Sequence, residues 1–303
     1  MRLVRKIPKK DRVILLAGLL SAILLTISVL TTPGYNNLLL SSPEERAAFE
    51  LMEQAVGFVS AQHDLIGPEI SEITTTLGDQ AAKRTSLHPA FASLIVKLLR
   101  DAGVKSGDTI AVGCSGSFPG LLIATLSAAR AMDLHPVTIL SLGSSSYGAS
   151  DPDFTILDLH MMMIGMGLAE NVPVAVSPGG DLDIGRDFEP ATREKLKGKV
   201  GDYGIPLIME PDLEKNRHIR DSLYSGGNPG SIKAFINTGG GYAAMGTSSL
   251  SLLIKPGIVR SAKMPPEGSR GLIHDMLERE IPVLHLLYIK GLSTRYRIPY
   301  DTK

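Results

Sequence analysis

The longest apolar stretch of the chain runs from Val13 to Thr31, VILLAGLLSAILLTISVLT, without one charged residue. At 1.5 Å per residue, a helix of this length nearly matches the roughly 20 apolar residues needed to cross a bilayer core. Residues 32–42 read as a short polar linker. A different pattern follows: Ala47, Ala48, Leu51, Met52, Ala55, Val56 and Val59 recur at helical spacing. Ser42-Pro43-Glu44-Glu45 predicts its start, with Ser42 as cap, Pro43 in the first turn and Glu45 completing a capping box. This amphipathic helix, within 43–62, is expected to pack on the domain or on a partner.

Residues 64–87 are polar and Thr-rich and lead into a helix from near Pro89, with Phe91, Leu94, Ile95, Leu98 and Leu99 on one face and Gly103 as its stop. Apolar runs and helical periods then alternate. Strands are predicted at 109–113, 137–142, 172–176, 205–209, 234–237 and 281–286. Helices are predicted near 120–133, 154–169, 190–199 and 212–224. This alternation predicts an α/β fold, a mainly parallel sheet flanked by helices, preceded by one N-terminal transmembrane helix. The expected organisation is a cytoplasmic flank 1–12, an anchor 13–31, a linker 32–42 and an extracytoplasmic domain 43–303.

Charge sharpens the first part of that picture. Formal net charge is +0, yet Arg2, Arg5, Lys6, Lys9, Lys10 and Arg12 crowd the start of the chain. Basic residues before an apolar span stay cytoplasmic, which puts the remainder outside. A cleaved signal peptide is the rival, but its apolar region is shorter and ends at a small-x-small site, which Ser28-Val29-Leu30-Thr31 lacks. An uncleaved single-pass anchor in a bacterial inner membrane is therefore expected. The body of the chain is mildly acidic, so no nucleic-acid partner is expected. The single cysteine, Cys114, permits no intrachain disulfide and reads as a buried thiol.

Candidate chemistry sits in loops that leave predicted strands, because open parallel sheets bind ligands beyond the carboxyl ends of their strands. The first, from Gly113 through Ser115, Gly116 and Ser117 to Gly120, opens a helix. Its amides and hydroxyls suit an anion. The same residues also fit a structural turn, or an elbow with Ser115 as nucleophile, although the spacing departs from G-x-S-x-G. The second loop carries Ser145, Ser146, Asp151 and Asp153. Asp151 is expected to cap the following helix, and Asp158, about two turns on, is either a structural acid of that helix or a residue that contacts substrate or orients a base. The third, Asn237-Thr238-Gly239-Gly240-Gly241, implies a close backbone approach to a ligand or a helix. One crevice for an anionic ligand accounts for all three loops. Ser115, Asp158 and His285 occur in the order of an α/β-hydrolase triad, although His285 in an apolar run also reads as a core residue. The acidic segment 177–187 lacks calcium-loop spacing and reads as a solvated loop. No zinc spacing or Walker sequence is present, and no metal or cofactor is expected.

The stretches ITTTLGDQAAKRTSLHPAFASLIVKLLRDAG, GDTIAVGCSGSFPGLLIATLSAARAM, SSSYGASDPDFTILD, FINTGGGYAAMG and RGLIHDMLEREIPVLHLLYIKGLSTRY, with the N-terminal anchor, resemble the bacterial poly-gamma-glutamate system proteins. They span most of residues 65–298, and the combination of SGSFP, DPDFT and NTGGG is specific. The resemblance implies a membrane accessory protein of poly-gamma-glutamate synthesis or export, with the polymer and the membrane subunits of the synthase and export complex as partners. It leaves residue roles open. Three readings follow: binding of the anionic polymer or partner subunits at the strand-end loops, a serine-dependent hydrolase or transferase with Ser115 as nucleophile, and an assembly subunit acting through the anchor and the 43–62 helix.

Overall fold

The computed structural model describes residues 38–301 apart from Pro229 and Gly240; the predicted anchor and cytoplasmic flank lie outside the described residues. No helix among the described residues is long and apolar enough to cross a membrane. The first long helix, α1 (Pro43–Ser60), begins with the capping box expected of Ser42 and Glu45. Its Ala48, Met52, Ala55 and Val59 are fully buried. They pack against α3 (Ala90–Ala102) and α4 (Pro119–Ala131), so the apolar face of α1 is satisfied within the domain. Between α1 and α3 the polar segment contains two elements that periodicity did not reveal, β1 (Thr74–Thr76) and the short α2 (Gln80–Ser86). Asp79 caps α2, its Oδ1 accepting from the Ala81 amide at 2.9 Å.

The remaining elements build a six-stranded sheet. In chain order they are β2 (Thr109–Ser115), β3 (His135–Ser141), β4 (Ser144–Ser145), α5 (Ile156–Gly165), β5 (Ala175–Ser177), α6 (Pro190–Asp202) and α7 (Leu213–Ser225). There follow β6 (Ile232–Asn237), α8 (Tyr242–Met245), β7 (Gly257–Val259), α9 (Leu272–Glu278), β8 (Val283–His285) and α10 (Ile289–Tyr296). The sheet order is β5-β3-β2-β6-β8-β7, parallel throughout except for the edge pair β7–β8. The antiparallel β7 was not predicted. The strand predicted at 205–209 is reduced to one bridge, Val176 to Leu207. It lies beyond the short β5 at the sheet edge, where Pro206 offers a carbonyl to Val176 but has no amide to pair.

Both faces of the sheet are covered, as a parallel sheet requires. Alternate residues of β2 show the pleat: Ile110, Val112 and Cys114 enter the larger core with α1, α3 and α4, while Ala111 faces the smaller core. That second core contains Tyr224 of α7 and Leu272, Ile273 and Met276 of α9. Cys114 is buried as expected, and burial pushes its thiol up to about 12. β1 and β4 pair separately as a two-residue parallel ribbon, Thr74 with Ser144 and Thr76 with Ser145. This ribbon lies over the carboxyl end of the sheet and shapes the site.

Candidate functional site

A cleft of about 670 Å³ opens at the carboxyl ends of β2, β3 and β5, the position expected of a ligand site in such a sheet. Its walls come from residues 75–79 with Lys83, from Ser115, Ser117 and Phe118, from Ser141, Gly143 and Ser145, and from residues 179–183. Tyr242, Tyr288, Lys290 and Tyr300 close the remaining side.

Lys83 is the unexpected member. α2 crosses the first turn of α4 so closely that a Cβ on Gly120 would stand 2.4 Å from the Ser86 carbonyl oxygen. Only glycine permits that approach, and it carries Lys83 inward. The residue is 1% exposed. Its Nζ donates to the Ser117 carbonyl and, at 2.6 Å, to Ser145 Oγ, and it lies 3.8 Å from the centroid of the Phe118 ring. Burial pushes its pKa down to about 7, against a smaller opposing pull from Asp79. Ser145 is held from both sides, by the β1–β4 ribbon and by Ser117 Oγ, which accepts from the Ser145 amide at 3.0 Å.

A second buried polar cluster underlies the other side of the cleft. Asp183, expected in a solvated loop, is instead 2% exposed. Its Oδ2 accepts from Arg220 Nη2 of α7 at 2.5 Å and from Asn216 Nδ2 at 3.1 Å, while Oδ1 accepts from Ser177 Oγ at 2.8 Å. Ser141 joins through Ser177 at 2.8 Å. Leu182 and Asp183 have φ of +54° and +64°, the left-handed region that side chains disfavour by roughly 1 kcal/mol each. The other cleft carboxylates are also engaged. Asp79 accepts from the Tyr300 hydroxyl, Asp181 pairs with Arg186, and Asp187 accepts from the Asp181 amide.

The predicted triad does not assemble. Ser115 ends β2 without a left-handed φ, so it is not a strained elbow, and its Oγ accepts from the Ser117 amide at 3.4 Å. His285 lies on β8 with β6 between it and β2, roughly 10 Å away at a strand spacing of about 4.8 Å. Its Nδ1 faces Asn237 Nδ2 at 3.2 Å, and burial pushes it down to about 4. Asp158 closes the capping box of α5 with Thr155 and pairs with Lys199 at 2.6 Å, in a separate surface recess. It therefore anchors a helix and orients no base.

The ligand candidates divide likewise. Ser115, Ser117 and Ser145 line the cleft, joined by Gly241 of the third loop. Ser146 is buried behind it, with Oγ directed at the Thr76 carbonyl. Gly113 faces the second core, where a Cβ would stand 3.1 Å from the Phe235 ring, and Gly116 packs against the Leu142 carbonyl. Asn237 and Thr238 are buried, the first beside His285 and the second against the Gly113 carbonyl. Gly239 lies where a Cβ would come within 2.5 Å of Ser115 Oγ, so its close approach is to the protein itself. Asp151 belongs to a different small pocket with His63 and Phe154, and it forms a turn with the Asp153 amide; Thr155, not Asp151, caps α5. Gly240 lies outside the described residues.

Sequence reasoning missed Lys83, Asp183 and Arg220. One signal for the last was present: Leu213, Asn216, Arg217, Arg220 and Tyr224 recur at helical spacing, an inward face with three polar members. Comparison of the chain with protein-family models, with curated proteins and with solved structures returned no match.

Proposed function

We propose that this chain is a membrane-anchored accessory protein of poly-gamma-glutamate synthesis or export, which holds the polymer at the strand-end cleft. In this reading residues 13–31 anchor it in a bacterial inner membrane, residues 1–12 are cytoplasmic and the domain from 43 to 303 is extracytoplasmic. The basic flank before an uncharged apolar run supports that placement. The membrane subunits of the synthase and export complex are its natural neighbours.

One observation carries the ligand part. The segments on which the resemblance rests are far apart in sequence, yet residues 75–79 and Lys83, Ser115, Ser117 and Phe118, Ser145 and Gly241 line the same cleft. Hydroxyls of Ser117 and Ser145 and the amine of Lys290 are suited to carboxylates and amide carbonyls along an extended chain. Of the cleft's acids, Asp181 and Asp183 are paired with Arg186 and Arg220, while Asp79 and Asp187 accept hydrogen bonds from the Tyr300 hydroxyl and the Asp181 amide.

The test uses the full-length chain in detergent micelles and labelled poly-gamma-glutamate followed by fluorescence anisotropy, with poly-alpha-glutamate of equal length as comparison. Saturable binding that prefers the gamma polymer and weakens about tenfold with Lys290→Glu is expected, a change of about 1.4 kcal/mol. Absence of binding at millimolar glutamyl concentration sinks the reading.

A further inference from the structure

Binding alone leaves the pairing of Lys83 with Ser145 unused. A lysine needed only to attract carboxylates would sit at the cleft surface with its charge intact. Lys83 is instead enclosed behind Ser145, which is itself 8% exposed and lines the cleft. Both residues line the cleft, and Ser145 is the more exposed of the two. The Gly78 backbone packs close beside the pair: a Cβ there would stand 2.5 Å from the Ser146 carbonyl oxygen and 3.3 Å from both Lys83 Cε and Ser145 Oγ.

The hydrogen bonding gives the pair a direction. The Ser117 carbonyl can only accept, so it takes one N–H of Lys83. When the amine is neutral, its lone pair is available to accept the Ser145 O–H across 2.6 Å. The Ser145 amide, bonded to Ser117 Oγ, fixes the backbone beneath the nucleophile. A hydroxyl beside an unprotonated amine in a cleft is the arrangement that activates a serine without histidine.

We propose that Lys83 and Ser145 are a base and nucleophile, and that the cleft hydrolyses or transfers amide-linked acyl groups of a carboxylate-bearing polyamide. Ser145 Oγ attacks the amide carbonyl carbon while its proton passes to Lys83 Nζ. The carbonyl π pair moves onto oxygen and then returns as the C–N bond breaks, and the Lys83 proton goes to the departing amine. Water then attacks the Ser145 ester, giving its proton to Lys83. Collapse releases the carboxylic acid and returns that proton to Ser145. The balance is amide plus water to acid plus amine; an amine in place of water makes the same sequence a transfer. The choice of polymer rests on the proposed function, but the nucleophile pair stands without it.

Neutral Lys83 sets the working pH. Asp79 caps its own helix and is the carboxylate acting on it, itself bonded to Tyr300. From α10 the facing cation is Lys290, set over the Tyr300 ring. Neither β4 nor the first turn of α4 carries a charged side chain.

The test treats the full-length protein in micelles with a fluorophosphonate between pH 5.5 and 9, maps the adduct by peptide mass spectrometry, and follows poly-gamma-glutamate chain length in parallel. One adduct on Ser145 is expected, with a rate rising through a midpoint near pH 7. Ser145→Ala abolishes it, and Lys83→Met lowers it at least 100-fold. Ser145→Cys keeps the base, and its alkylation by iodoacetamide should follow the same midpoint even if Lys83→Met does not fold. Labelling no faster than in Ser145→Ala overturns the proposal, as does thiol alkylation with an unperturbed cysteine profile. An adduct without polymer binding sinks the choice of polymer but not the pair; polymer binding without an adduct does the reverse.

Discussion

Arg220 and Asp183 form a buried ion pair across the carboxyl end of the sheet, with side chains 4% and 2% exposed. Asn216, one turn earlier on α7, bonds both partners, accepting from Arg220 Nε at 2.9 Å and donating to Asp183. The cluster fixes the wall of the cleft by tying α7 to the loop after β5. Removing one charge leaves the other buried without compensation. Arg220→Met or Asp183→Leu alone should therefore cost about 3–5 kcal/mol in urea unfolding. The double variant should cost less than the sum of the two, because no charge remains unpaired. Single variants within about 1 kcal/mol of wild type, or strictly additive costs, would show that the pair does not hold this wall.

Lys83 makes stability depend on pH in a defined direction. Its folded pKa of about 7 lies below the ordinary value of 10.5. Between these values the unfolded chain binds more protons, so stability rises with pH across that window. Below about pH 7 both states are protonated and the full cost of the buried charge is present. Lys83→Met should therefore gain on wild type as pH falls from 10 to 6, by on the order of 4 kcal/mol. Chemical unfolding of both proteins at pH 6, 8 and 10 measures this. A difference that does not change with pH would mean that the amine is not desolvated.

What periodicity can show, it showed. The capping box at Ser42 and Glu45, the left-handed stop at Gly103 and the alternation of strands and helices are local patterns, and the parallel sheet follows from them. The place of Ser115, Ser117 and Ser145 in the cleft was legible because they stand beside glycines at the carboxyl ends of strands, where an open parallel sheet leaves its crevice. Lys83 was not legible. It stands beside Arg84 in a seven-residue helix, and only contacts with Ser117 and Ser145, 34 and 62 positions away, decide which of the two basic residues turns inward. The His285 reading failed because chain order carries no information about the strand order that inserts β6 between β2 and β8.

Asp158 should behave as a structural residue. It accepts from the Thr155 amide at 2.7 Å and pairs with Lys199, both side chains 16% exposed. Asp158→Ala loses a helix cap and one ion pair, so a cost of about 1–2 kcal/mol is expected. Polymer affinity and Ser145 labelling should stay at wild-type levels. Lys199→Ala should cost less, and the double variant should reveal coupling of under about 1 kcal/mol. Loss of labelling in a folded Asp158→Ala protein would return Asp158 to the candidate site.

Acid sensitivity provides a check on two of the buried histidines. Burial pushes His160 and His285 down to about 4, well below the ordinary 6.5. Each is neutral in the folded chain where the unfolded chain is protonated. Stability is thus complete above about pH 6.5 and falls as pH drops toward 4, by about 3 kcal/mol for each imidazole. His285→Gln retains an amide beside Asn237 and removes only the titration. The wild-type loss between pH 6.5 and 4 should shrink by about half of the two-histidine contribution in this variant, as measured by urea unfolding across the range. Carboxylates contribute equally to both proteins and cancel in the comparison. If the two pH profiles run parallel, the His285 imidazole does not differ in protonation between folded and unfolded chains, and the neutral pairing with Asn237 is wrong.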